Sequence, residues 1–172
     1  MALSKIDAAN FLDGTLPDTN INNASLDNVT GLPAAITTGK VLQVVQAIDT
    51  TQLSTTSSSL VDVGLSASIT PSSSSNKILI IVDAQGQNPA DVGWGNAIVR
   101  NSTVVFQTNT YSNYSSQETQ TNRRASYCYL DSPSTTSATT YKLQVKVYNA
   151  GTAVLMNEGS NPTTITLMEI AG

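Results

Sequence analysis

From Tyr141 to Tyr148 the chain alternates without a break: Tyr141, Leu143, Val145 and Val147 are separated by Lys142, Gln144, Lys146 and Tyr148. Successive side chains of an extended strand point to opposite faces, so this period of two describes a strand with one buried and one wet face. No stretch after Lys40 carries a helical period. Further β-branched or apolar runs stand at 40–48, 60–69, 77–84, 97–108, 123–131, 152–157 and 162–172, with Ser/Thr/Asn/Gly/Pro clusters between them. Short strands spaced by turn clusters predict an all-β protein. The expected architecture is an antiparallel β-sandwich, jelly-roll-like, over residues 40–172.

Within that frame the run Ile78–Val82 is continuously apolar, which predicts cover on both of its faces. Gly64 interrupts a strand pattern and predicts a bulge. Asn101-Ser102 is expected to turn a hairpin, and 50–59, 85–96 and 109–122 read as loops.

Residues 1–39 differ from the rest and form a second expected unit, an extended N-terminal arm. Ser4 is placed to cap a short helix carrying Ile6, Phe11 and Leu12, and Asp13-Gly14 ends it. Leu16, Ile21 and Leu26 then recur every five residues among Asn and Asp. So few periods bury no core alone, so the arm is expected to pack on partner chains, the competing reading being a disordered tail.

Composition excludes several classes of chemistry. The 172 residues contain no His and a single Cys, Cys128. A Ser–His–Asp triad, a Cys–His pair, a His-ligated metal and an intrachain disulfide are therefore all out of reach. Eight basic residues against twelve acidic ones give a net charge of −4, with no footprint for nucleic acid. The longest purely apolar run is far short of the ~20 residues that span a bilayer, so no membrane insertion is expected. No basic region precedes an apolar stretch at the N-terminus, and synthesis in a cytoplasm is the expectation. Ser and Thr make up roughly a quarter of the chain, well above ordinary usage. With only 12% charged residues, solubility falls to hydroxyls and amides, and a homo-oligomer is expected.

The acids available for a glycoside-cleaving pair are Asp83, Asp91, Glu118, Asp131, Glu158 and Glu169. On so few charges they read as solvated loop carboxylates, and Asp131, before a Ser-Pro turn, as a turn former. No D-x-D-x-D-G loop is present, and neither a metal nor a cofactor is called for. Glycan contact is better motivated. Trp94 lies in Gly-Trp-Gly, and Tyr111 and Tyr114 stand beside Asn113 and Gln117. Aromatic faces against sugar C–H groups, flanked by amides, make a glycan surface. The competing reading of Trp94 is a hydrophobic plug at the sandwich end, and that of Tyr111 and Tyr114 is ordinary loop packing. Cys128, between Tyr127 and Tyr129, reads as a small buried hydrophobe. Arg123-Arg124 is the only basic pair and reads as a solvated strand end. Four N-x-S/T sequons, at Asn23, Asn28, Asn101 and Asn113, reflect Asn/Ser/Thr richness.

Several segments taken in order, ITTGKVLQVVQ at 36–46, LVDVGLSASITPSSSSNKILIIV at 60–82, DSPSTTSATTYKLQVKV at 131–147 and TITLMEIAG at 164–172, resemble small structural proteins of tailed phages. The likeness is to the fibre-type proteins of cyanophages and other marine phages. The stretch DGTLPDTNINNASLDNVTGLPAAITTGK at 13–40 is similar to their N-terminal segments. This resemblance implies a trimeric β-rich head on a virion, tail or capsid, held there by the arm. The arm's partner would be a phage tail protein or the major capsid protein, with Ile6, Phe11, Leu12, Leu16, Ile21 and Leu26 as anchors. A short non-enzymatic fibre whose head touches host surface glycan is the expected function. The alternatives are a capsid decoration or head-fibre protein and a polysaccharide-degrading spike domain.

Overall fold

A computed structural model describes residues 39–109, 111–116, 121–148 and 154–172. The expected arm, with Ile6, Phe11, Leu12, Leu16, Ile21 and Leu26, lies outside the described residues, as do Gln117 and Glu118.

The strands in chain order are β1 (Val41–Asp49), β2 (Leu53–Thr55), β3 (Val61–Ile69), β4 (Lys77–Asn88), β5 (Val92–Arg100) and β6 (Thr103–Gln107). They continue with β7 (Asn113–Ser115), β8 (Thr121–Asp131), β9 (Thr139–Val147), β10 (Val154–Met156) and β11 (Thr163–Ile170). One sheet runs β1-β11-β4-β8, with the short β10 and β2 continuing beside the far end of β4. The other runs β3-β9-β5-β6, with β7 also on β5. All the pairings are antiparallel. Without the three-residue strands, the eight long strands form sheets of first, eighth, third and sixth, and of second, seventh, fourth and fifth. That is the jelly-roll order of two interlocked Greek keys, as the turn spacing led us to expect.

The core lies between the sheets and follows the period of two. Tyr141, Leu143, Val145 and Val147 of β9 are buried opposite Ile78, Ile80, Val82 and Ala84 of β4, with Ile165 and Leu167 of β11 beside them. β-branched and aliphatic side chains suit this pleated, half-buried surface. Gly64 has φ +99°, and the β3–β9 register shifts between Asp62 and Ser66, so the expected bulge is present. Asn101, at φ 53°, turns the β5–β6 hairpin.

Three loop expectations are corrected. β2 lies within 50–59, and β7 and the start of β8 lie within 109–122. The largest correction is at 85–96, where β4 runs on to Asn88 and β5 begins at Val92. The glycines there reflect close approach of side chains to backbone. A Cβ on Gly86 would come within 2.7 Å of the Trp94 ring, and one on Gly93 within 1.9 Å of the Tyr111 ring. Composition alone reads such glycines as loop.

Candidate functional site

Trp94, expected in an exposed loop as part of a glycan surface, is on β5 and wholly buried in the core. Its ring lies on Gly86 and offers no face to a ligand, so this assignment is corrected in favour of the plug. Asn113 is also buried, paired across from Trp94 on β7. Tyr111 and Tyr114 do come together. Their ring centroids are 4.8 Å apart, and Tyr148 meets Tyr111 edge-on at 5.0 Å. Tyr114 is paired across from Gly93, and the Tyr148 N–H donates to the Gly93 carbonyl at 2.9 Å. The missing Gly93 side chain gives the Tyr111 ring its place. Lys146 lies 4.6 Å over the Tyr148 ring, and the Tyr114 hydroxyl donates to Asp91. Tyr111 is 43% exposed and Tyr114 40%. Tyr148, part of the same cluster, was visible in the sequence only as the outward member of an alternating strand.

The described carboxylates tie the fold together. Asp131 and Glu169 are paired across β4 from Ile78 on its two sides, and both are buried. Asp131 accepts from Arg100 Nη1 at 2.8 Å and from the Tyr141 hydroxyl at 2.7 Å. It thus joins β8 to the opposite sheet, which corrects its reading as a turn former. Burial, reinforced by the Asp131 charge and hydrogen bond, pushes the Tyr141 hydroxyl far up from its ordinary value. Glu169 Oε1 accepts from the Ser72 N–H at 2.6 Å, the Ser72 hydroxyl at 2.8 Å and Asn76 Nδ2 at 2.6 Å, and Oε2 accepts from Gln43. Burial works to raise its pKa, but the donors from Gln43, Asn76 and Ser72 outweigh it and hold the group at about 2. These are fixed charges pinning the 70–76 turn and the end of the core. Among the described residues no group of three His, Cys, Asp or Glu residues could hold a metal ion.

An apolar band with Gln46 and Thr166 within it crosses the outer face of the β1-β11-β4-β8 sheet and ends at a row that holds Asp83. Register lines up Val44, Met168, Leu79 and Leu130 in one row. The next row is Gln46, Thr166, Ile81 and Cys128, and the third is Ile48, Thr164, Asp83 and Ser126. Val44 is 56% exposed, Ile48 61% and Leu130 47%. Cys128 is exposed here, contrary to expectation, because the alternation that turns Tyr127 and Tyr129 inward turns Cys128 out. The continuous run Ile78–Val82 is covered on its inner face only, with Ile81 open to solvent. Double-sided apolar patterning in β1 and β4 was the sequence signal for this band.

Beyond Asp83 the same face opens into a cleft of about 210 Å³ lined by Gln85, Asn122, Arg123, Arg124 and Asn161. Arg124 donates from Nε and Nη2 to Asp83 Oδ2 at 2.9 and 2.6 Å, and from Nη2 to the Pro162 carbonyl at 2.8 Å. Its hydrogen bonds hold the Asp83 carboxyl below its ordinary value. Sequence reasoning read the arginine pair as a bare strand end, because the segment 157–162 that walls the cleft is distant in the chain.

No protein-family model and no curated protein matches this chain. Solved structures similar to it include infectious bursal disease virus, Gx strain, at TM-score 0.44 and 15% identity over 76% of this chain and 37% of that one. A VP2 subviral particle of infectious bursal disease virus gives 0.41 and 16% over 76% and 38%. Dimeric latent PorU from Porphyromonas gingivalis gives 0.39 and 11% over 79% and 14%. The chain spans well under half the length of each of these chains.

Proposed function

We propose that this chain is a non-enzymatic virion structural protein, a short fibre whose jelly-roll head assembles as a homotrimer. The observation that carries this reading is the apolar band on the outer β1-β11-β4-β8 face. Patches of this kind mark interaction sites on soluble proteins. Four strands at about 4.8 Å and the five positions between Lys77 and Asp83 at about 3.4 Å give a face of roughly 330 Å². A specific interface removes about 800 Å² per partner, so the band supplies the dry centre and its Gln, Thr and Ser neighbours the rim. The occupant is further copies of this chain. Between Lys77 and Asp83 the band holds no charge, so like faces meet without burying one. The threefold stoichiometry and the fibre role follow the resemblance to phage fibre proteins. The jelly-roll frame is shared by viral capsid and lectin domains, and function has to be argued from the surfaces it carries. The Tyr111–Tyr114 pair is the surface offered to host glycan.

Sedimentation of the full chain tests the assembly, with three copies expected and a Val44→Lys variant expected to sediment as a single copy. A monomeric wild-type chain at high concentration overturns it, and a dimer overturns the threefold fibre. Immunogold labelling of intact particles against residues 40–172 then separates the virion roles. Gold on the tail supports the fibre, gold over the head replaces it with capsid decoration, and no gold overturns the virion assignment.

A further inference from the structure

We propose that the cleft lined by Gln85, Asn122, Arg123, Arg124 and Asn161 binds an acidic saccharide, holding its carboxylate on the arginines and its hydroxyls on the amides. Three features of the cleft point to a ligand of this class. The first is a buried donor with nothing to bind. Gln85 is 3% exposed, and its Oε1 accepts the Glu158 N–H at 2.8 Å. That bond fixes the amide orientation and leaves Nε2 as the other end, which has no partner. A buried, unpaired amide donor is costly unless a ligand completes it.

The second feature is charge held in place. Asp83 and the Pro162 carbonyl take Nε and Nη2 of Arg124, so its guanidinium is immobilised with Nη1 and two protons unused. Arg123 makes no ion pair among the described residues. Asp83 is engaged by Arg124, so Arg123 is the unpaired cation among the residues lining the cleft. Guanidinium groups match the two oxygens of a carboxylate in geometry and charge.

The third feature separates a sugar acid from a bare oxyanion. Asn161 Nδ2 donates to the Glu158 carbonyl at 2.8 Å, which turns the Asn161 amide oxygen into a free acceptor. An acceptor beside two arginines is of no use to a fully deprotonated oxyanion such as sulfate and suits a hydroxyl next to a carboxylate. The wall is preformed, since Asn157 bonds Asp49 and the Thr51 carbonyl and its N–H donates to the Gln85 carbonyl. This cleft is separate from the Tyr111–Tyr114 surface on the other sheet and does not rest on the assembly reading.

Saturation-transfer NMR on the full chain tests it, with glucuronate and glucose as probes and inorganic sulfate as competitor. Glucuronate should bind saturably, glucose should not, and sulfate should compete only weakly. Arg123→Gln should weaken glucuronate roughly tenfold, the size of one charge-assisted hydrogen bond. Asn122→Asp, at an exposed position, should abolish binding by repulsion, and both variants should keep the wild-type sedimentation and melting temperature. Glucuronate binding no better than glucose, sulfate binding as well as glucuronate, or unchanged glucuronate binding in both folded variants overturns the proposal.

Discussion

Gly86 passes under the Trp94 indole so closely that a Cβ there would stand 2.7 Å from Cζ2 and 2.8 Å from Cε2. The two residues belong to different sheets, β4 and β5, so this contact sets the separation of the layers at one end of the sandwich. Gly86→Ala should therefore destabilise the fold by about 1–3 kcal/mol, the range for overpacking a filled core. Thermal unfolding followed by tryptophan fluorescence measures it. An unchanged melting temperature would show that the layers separate freely.

Acid should weaken the fold through Glu169. Its pKa is about 2 in the fold against an ordinary value of 4.5. The unfolded chain thus binds more protons between these values, and stability falls as pH drops through that window. Asp62, lowered by its bonds from Gln144 and Lys142, and Asp83 act in the same direction. Denaturant midpoints taken from pH 6 downward should decline, and Glu169→Gln should flatten the decline while lowering the midpoint at pH 6. A midpoint independent of pH below 5 in the wild type contradicts this account.

Asp131 joins the sheets through Tyr141 and Arg100. Tyr141→Phe removes one donor and leaves the carboxylate paired with Arg100, costing about 1–2 kcal/mol. Asp131→Ala leaves a buried hydroxyl and a half-buried guanidinium without their acceptor and should cost about 3–5 kcal/mol. A double-mutant cycle in urea should show the two changes coupled. Simple additivity would mean that the bond contributes nothing to stability.

Tyr114→Ala removes an exposed ring and leaves the core intact, so stability should change by less than about 1 kcal/mol. Adsorption of the purified protein to host cells should fall with it. Wild-type adsorption by a folded Tyr114→Ala protein removes the tyrosine surface as the host contact.

The alternation in β9, the turn clusters and the absence of His were enough to set the class of fold and to exclude whole families of chemistry. Those signals are local, since a period of two and a turn residue act over a few positions of chain. Trp94 shows where that reach ends. Gly86 and Gly93 read as loop residues until the fold shows that the Trp94 and Tyr111 rings occupy the space their side chains would fill. Cys128 went astray for the same reason. Whether an alternating residue faces the core or the solvent depends on register with Ile81 and on which sheet lies beyond, and one residue of shift reverses it. The acidic residues looked solvated because their partners are distant in sequence, Ser72 lying 97 residues from Glu169 and Arg100 lying 31 from Asp131. Strand content and chain exclusions therefore came from the sequence by itself. Which faces are buried, which charges are paired and that Arg123 and Asn161 line one cleft were decided only by tertiary structure, because each depends on non-local pairing that local patterning does not encode.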